Sequence, residues 1–201
     1  MLQNVLPDMI YVLNLSVNFY SQNVKEGEKF IINDIRDFLV FCAYKTSLQL
    51  DVLQQLVNGE YYDTAMAEIR IIYEILISMR AYKKNSKLFE EKVLSVVGVE
   101  LGTYKKVKGR ESVVQIETGK KCNYHISKFD LARYSGDDYR ELYRTLYHEL
   151  SGFIHLDTEQ AKGIFQDKDI FEEIDECLMA GFLGMILSLE VIMELIDFER
   201  K

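Results

Sequence analysis

Apolar residues recur three and four positions apart along most of this chain. The clearest example lies in residues 26–57, where they repeat from Phe30 to Leu56 and are followed by Asn58 and Gly59. This spacing collects apolar side chains on one face of a helix, and the Asn-Gly pair is typical of a helix end. Pro7 is the only proline and the 11 glycines are scattered, so few residues oppose long helices. The pattern predicts an all-α fold.

We predict a single-domain bundle over residues 1–201, with about five or six helices, some of them long. The predicted helical segments are 2–24, 26–57, 61–84, 87–97, 137–155 and 170–198, with a short helical piece at 127–134. Ser86 is expected to cap the helix at 87–97, and residues 135–138 are expected to form a turn and a cap before the next long helix. We expect the helices that begin at Tyr61, Asp137 and Ile170 to form the centre of the bundle.

Residues 97–126 interrupt the helical pattern. Two interpretations are open for the segments VVGVEL and SVVQIET in this stretch. They pair as a short hairpin around Lys108 and Gly109, or the first segment extends the preceding helix. We predict an irregular and mobile central excursion here.

Residues 177–189 form an almost unbroken apolar run. The run is too short to span a bilayer, so it predicts a buried helix. Ala180 and Gly184 lie four positions apart within it, which allows another helix to approach closely.

Cys42, Cys122 and Cys177 form no paired motif, which argues against a disulfide framework. The N-terminus lacks the features of a signal peptide. We therefore expect a cytoplasmic protein without a membrane segment.

The formal net charge is −8, which does not favour a general nucleic-acid binder, because phosphate affinity comes mainly from Lys and Arg. The charge is uneven, however. Residues 103–134 carry eight basic and three acidic side chains, a net of +5, which leaves −13 for the rest. This segment is either a solvated loop or a local contact for an anion or RNA. The candidate RNA contacts are Lys105, Lys106, Lys108, Arg110, Lys120 and Lys121.

A polar stripe is predicted on the helix at 137–155. Arg144, His148, Ser151 and His155 follow one another at spacings of four, three and four, with Tyr147 at the edge of the stripe. These positions share one helical face. A second polar pair, Arg70 and Glu74, lies in the apolar helix at 61–84. Buried charges need partners, and the nearest ones are each other or the stripe. Three interpretations are open for these residues: a catalytic or ligand-binding site, a buried network that holds two helices in register, or side chains that are merely exposed.

These residues resemble a family of bacterial helical proteins of unknown function. That family carries an A-x4-R-x3-E helix and a Y-x2-L-S-x3-H motif before a long C-terminal helix. The first motif is matched by Ala65, Arg70 and Glu74, and the second by Tyr147, Leu150, Ser151 and His155. The resemblance covers residues 61–201. It implies an all-α fold with a shared polar centre formed by Arg70, Glu74, Ser151 and His155.

More distantly, the chain resembles HEPN domains (higher eukaryotes and prokaryotes nucleotide-binding), helical toxins and antiviral effectors that cut RNA as dimers. Their hallmark is an Arg and a His separated by four to six residues, whereas three residues separate Arg144 from His148 here. The resemblance implies a metal-independent ribonuclease without a cofactor. Arg144 would hold phosphate and His148 would transfer a proton, with Tyr147 and Ser151 in support. Arg70, Glu74 and His155 would organise the site.

Metal binding is not predicted. His155 follows His148 by seven positions, a rise of roughly 10 Å along a helix, which is too long for both to bind one ion. Cys122 and His125 lack a second pair of ligands.

Two functions remain open. One is a bacterial phage-defence or stress effector that acts on RNA as a homodimer. The other is a non-enzymatic helical module that dimerises and binds a phage or toxin-system protein.

Overall fold

The computed structural model describes residues 2–20, 30–147 and 170–199. These residues form a mostly helical fold, which confirms the predicted class, and they contain seven helical segments where five or six were expected. No helix among them is long and apolar enough to cross a membrane.

Three long helices carry most of the core. They are α2 (Ile35–Asn58), α3 (Tyr62–Lys84) and α7 (Ile170–Glu199), and α1 (Leu2–Tyr20) packs against α2. Fully buried apolar side chains from α2 and α3 meet in this core, for example Leu50, Leu53, Ile69 and Leu76. Their burial is the main favourable contribution to folding.

The helical pattern misplaced the start of α2. Residues 30–33 are not helical, and residues 21–29 lie outside the described part of the chain. The helix begins where the side chain of Asp34 accepts a hydrogen bond from the backbone N–H of Asp37. The carboxylate of Asp37 in turn accepts from the backbone N–H of Asn33. The first bond pairs an N–H group that a helix start leaves without a partner, and the second ties the residue before the cap to the first turn.

The fourth helix, α4, is longer than predicted. It is continuous through Ser86–Phe89, a π-helical turn at Glu90–Leu94 and Ser95–Glu100. Its cap is Asn85, whose side-chain oxygen accepts from the backbone N–H of Leu88 at 3.0 Å, so the prediction of Ser86 as the cap was wrong. Asn85 caps α4 because α3 ends at Lys84, the residue directly before it.

The central excursion contains a small antiparallel sheet in the order β1-β2-β3. Its strands are β1 (Tyr104–Lys106), β2 (Ser112–Gln115) and β3 (Lys121–Asn123). The segment VVGVEL extends the preceding helix, whereas SVVQ pairs with β1 across a turn that holds Lys108 and Gly109. The helix extension is therefore the correct interpretation of VVGVEL. The predicted hairpin between VVGVEL and SVVQIET is wrong, because the strand that pairs with β2 across this turn is Tyr104–Lys106.

The sheet is attached to the end of α4 by close contact. A Cβ added at Gly98 would lie 2.5 Å from the ring of Tyr104, so only glycine permits this approach. Lys92 of α4 also donates to the backbone carbonyls of Asn123 and His125.

Two further helices follow the sheet. They are α5 (Lys128–Ser135), which Ser127 caps, and α6, described as Asp137–Leu142 followed by a π-helical turn at Tyr143–Tyr147. Gly136 separates the two helices and has a φ of 136°. Because glycine has no side chain, the start of α6 lacks a side-chain cap. In the described part of α6 only Tyr147 is buried. The predicted central place of α6 is therefore wrong for this part, and α2 occupies it.

The interpretation of Ala180 and Gly184 as a packing feature is confirmed. Both are buried, and a Cβ at Gly184 would overlap the side chain of Leu53 in α2. Cys42 and Cys122 are both buried as free thiols. The side chain of Cys177 lies outside the described residues.

Candidate functional site

Arg70 and Glu74 contact each other on one flank of α3. The Nε of Arg70 lies 3.2 Å from Oε1 of Glu74, and the two side chains are 16% and 22% exposed. One helical turn separates them, so α3 alone brings them into reach.

Tyr147 joins this pair from α6. Its hydroxyl accepts a hydrogen bond from Nη2 of Arg70 at 2.7 Å and donates one to Oε1 of Glu74 at 2.9 Å. The guanidinium carbon of Arg70 also lies 4.6 Å from the centre of the Tyr147 ring, a distance that favours a cation–π contact. The motif residues of α3 and α6 therefore meet in space, although more than 70 residues separate them.

Lys128 completes the cluster from the first turn of α5. Its Nζ lies 2.7 Å from Oε2 of Glu74. Both carboxylate oxygens of Glu74 are thus occupied, one by Arg70 and Tyr147 and the other by Lys128. We call Arg70, Glu74, Lys128 and Tyr147 the polar centre. Two cations and one carboxylate give it a net charge of +1. Lys128 was counted in the basic segment but was not predicted at the site, because no local pattern links α5 to α3.

Aromatic rings surround the polar centre. Tyr143 stacks on Tyr147 with ring centres 4.4 Å apart and planes 17° apart. The edge of Phe129 meets Tyr143 at 5.6 Å, and the fully buried Tyr73 lies 6.1 Å from Tyr147. Both stacked tyrosines belong to the π-helical turn of α6. Turns of this kind occur frequently at functional sites.

The electrostatics keep the tyrosine hydroxyls protonated. Burial raises the pKa of Tyr147, its hydrogen bond to Glu74 raises it further, and Arg70 opposes both effects. Burial also raises the pKa of Tyr143. At neutral pH the Tyr147 hydroxyl is therefore a hydrogen-bond donor to Glu74. It positions its neighbours and is a poor candidate for a base or nucleophile.

Arg144 does not join the polar centre. Its side chain is 56% exposed, and its Nη1 lies 3.6 Å from the carboxylate of Glu141. Tyr147, by contrast, is buried. The structure therefore presents the guanidinium of Arg144 to solvent while it directs Tyr147 inward. The other predicted members of the stripe, His148, Ser151 and His155, lie outside the described residues.

The six candidate RNA contacts all lie on or beside the sheet, and all six are exposed. The strand register places Lys105 and Lys121 opposite Val114, so both project from the same face of the sheet. Lys106 pairs with Val113 and belongs to the other face. The remaining three lie in the turns, namely Lys108, Arg110 and Lys120.

A second polar cluster lies between α3, α6 and α7, and no sequence pattern predicted it. The buried carboxylate of Glu194 binds both Arg80, at 2.5 Å, and Lys83. The hydroxyl of Tyr139 accepts from Arg80 and donates to Glu190, each at 3.0 Å. Burial is the largest cause that raises the pKa of Tyr139, to about 12. Opposite charges balance in this cluster, which is typical of a structural clamp between helices.

No group of three or more His, Cys, Asp or Glu side chains in the described ranges could hold a metal ion. Comparison with models of known protein families, with curated proteins and with solved structures finds no match to this chain.

Proposed function

We propose that this protein is a bacterial phage-defence or stress effector that resembles HEPN domains and acts on RNA in the cytoplasm. The observation that supports it is the convergence of Arg70, Glu74 and Tyr147, because residues from both halves of the family motif contact one another. The guanidinium of Arg144, which is 56% exposed, lies one helical turn before Tyr147 and suits contact with the phosphates of a polyanion.

In this proposal the residues divide into two groups. Arg144 is exposed and contacts phosphate, and His148 transfers the proton, with Ser151 in support. The polar centre and His155 hold the helix that carries these side chains. Tyr147 belongs to the second group, because its hydroxyl is already committed to Arg70 and Glu74. The exposed lysines of the sheet would contribute non-specific attraction to the RNA backbone.

The test is growth and RNA integrity in cells induced to express the wild type, His148→Ala, Arg144→Ala or His155→Ala. Arg133→Ala is the matched control, because Arg133 is 51% exposed and pairs with Asp130 three residues away, as Arg144 pairs with Glu141. Thermal melts of each purified protein separate loss of activity from loss of folding.

The proposal predicts growth arrest and RNA fragmentation by the wild type and by Arg133→Ala. His148→Ala and Arg144→Ala should do neither while they melt near the wild-type temperature. Intact RNA with the wild type would contradict the proposal. A low melting temperature for His155→Ala, with RNA intact throughout, would assign the stripe a structural role.

The alternative function is a non-enzymatic helical module that binds a phage or toxin-system protein. Large apolar side chains exposed along α2 favour it: Phe41, Tyr44, Leu48 and Val52 are each 37–44% exposed. Under this alternative, His148→Ala keeps the phenotype, whereas Leu48→Lys abolishes it without a change in melting temperature.

A further inference from the structure

The outward face of α7 is apolar. Its exposed large side chains are Phe182, Ile186, Leu189, Met193 and Ile196, with exposed fractions of 44%, 56%, 52%, 53% and 39%. We call these five residues the outer strip. Their spacings of four, three, four and three place them in one line along the helix. The strip is about 21 Å long, because its end residues Phe182 and Ile196 lie fourteen positions apart on the helix.

The outer strip reverses the usual pattern of a surface helix. Such a helix normally turns charged residues outward and apolar residues toward the core. Between Phe182 and Ile196 the charged residues are Glu190 and Glu194, and both carboxylates are engaged by the second polar cluster. The opposite face of α7 is already buried, because Gly184 lies directly against Leu53 of α2. Both faces of α7 are therefore apolar, and within the described residues the core covers only one of them.

The spacing of the strip indicates what covers it. Alternating steps of three and four are the pattern by which one helix inserts its side chains between those of another. We infer that a second copy of this chain covers the outer strip with its own outer strip, in a two-fold symmetric and antiparallel pair. A second copy offers the same spacing, and an interface of this kind uses one surface twice. The inference does not depend on the proposed function.

Charge decides the direction of the pair. Asp197 is exposed next to the end of the strip. A parallel pair would set the two Asp197 carboxylates at the same height along the pair, where like charges repel. In an antiparallel pair with its axis near Leu189, eight residues separate each Asp197 from the axis, so the two carboxylates lie about 24 Å apart. Phe182 of one copy then faces Ile196 of the other.

The area of the strip indicates a modest interface. Five large side chains, each about half exposed, offer on the order of 400–500 Å² per copy. The half-buried neighbours Leu183, Met185 and Ile192 flank the strip and extend this area. The total for two copies is about 1,000 Å², near the lower limit for a specific interface. We therefore expect a dimer that dissociates on dilution.

The first test is sedimentation of the full chain over a range of concentrations. The wild type should shift from monomer to dimer as its concentration rises, and Leu189→Lys should stay monomeric at every concentration. Leu101→Lys is the matched control, because Leu101 is 51% exposed, against 52% for Leu189, and lies at the end of α4, away from the outer strip; it should dimerise like the wild type. Leu189 is half exposed, so Leu189→Lys should leave the melting temperature of the monomer nearly unchanged. A wild type that stays monomeric, or equal loss of dimer in both variants, overturns the inference.

The second test fixes the direction by disulfide crosslinking. The double variant Phe182→Cys/Ile196→Cys should give a covalent dimer under oxidising conditions, because each new thiol faces its counterpart in the other copy. Phe182→Cys alone should not, since its two introduced thiols, one in each copy, would lie about 21 Å apart. Efficient crosslinking of the single variant overturns the antiparallel arrangement.

Discussion

The hydroxyl of Tyr147 donates a hydrogen bond to Oε1 of Glu74 at 2.9 Å, across 73 residues of sequence. The same hydroxyl accepts from Arg70 at 2.7 Å. One oxygen atom therefore connects α6 to both charged residues of α3. Removing it would leave Arg70 and Glu74 in contact but break their link to α6.

Tyr147→Phe should lower the free energy of unfolding by about 1.5–3 kcal/mol, because hydrogen bonds to charged groups are stronger than neutral ones. The ring, and with it the stack on Tyr143, is retained. Urea denaturation measures the change. Tyr143→Phe is the matched control in the same stack and should cost less than about 0.5 kcal/mol, since Tyr143 makes no hydrogen bond within the described residues. Equal costs for the two variants would contradict the role assigned to the Tyr147 hydroxyl.

Glu194→Gln should be the more harmful of two matched changes in α7. Glu194 is 8% exposed and binds Arg80 and Lys83, whereas Glu190 is 46% exposed. Loss of the buried carboxylate leaves Lys83 without its counter-charge and Arg80 with Glu190 alone, and we expect a cost of about 2–4 kcal/mol. Glu190→Gln should cost less than about 1 kcal/mol, because water screens an exposed pair. Denaturant titration at neutral pH checks both values, and the inverse ranking would be inconsistent with the clamp.

Gly184→Ala should destabilise the fold, because the added Cβ would overlap the Cδ2 of Leu53, a fully buried side chain. Overpacking of this kind costs about 1–3 kcal/mol. Leu53→Ala removes the obstructing atoms and leaves a cavity, so the double variant should lose less than the sum of the two single losses. Thermal melts of the three proteins provide the comparison, and strict additivity would show that the Leu53 side chain does not obstruct the added methyl group.

Glu68→Gln should stabilise the protein at neutral pH and have little effect in acid. The carboxyl of Glu68 is partly buried, its Oε2 has no hydrogen-bond partner, and burial raises its pKa above the ordinary value of 4.5. The folded protein thus keeps this proton to a higher pH than the unfolded chain does. Stability is lost as the pH rises from about 4.5 through the folded pKa.

The expected gain for Glu68→Gln is on the order of 1 kcal/mol at pH 7, kept small because the side chain is only partly buried, and it should vanish near pH 4. Glu117→Gln, in an exposed turn, is the control and should show no such dependence. The measurement is the free energy of unfolding at both pH values. A gain of the same size at pH 4 would exclude ionisation of Glu68 as its cause.

The apolar pattern located the long helices because each helix buries one face. Burial of one face requires apolar residues every three or four positions, and this spacing is visible in the sequence. The boundaries of α3 differ from the prediction by one residue at its start. The start of α2 and the cap of α4 were placed wrongly, because several neighbouring residues are able to cap a helix. Which of these residues caps the helix depends on where the preceding segment ends. Strands of three or four residues are too short to display a period of two, so the sheet was not predicted as such.

The sequence by itself determined that Arg70 and Glu74 share one face of α3, since four positions along a helix fix their separation. It did not determine that Tyr147 and Lys128 meet them, or that Arg80 and Lys83 hold Glu194. Those contacts join residues 54 to 114 positions apart, and no local period encodes them. Only the packing of α5, α6 and α7 around α3 decides which side chains of one helix reach those of another.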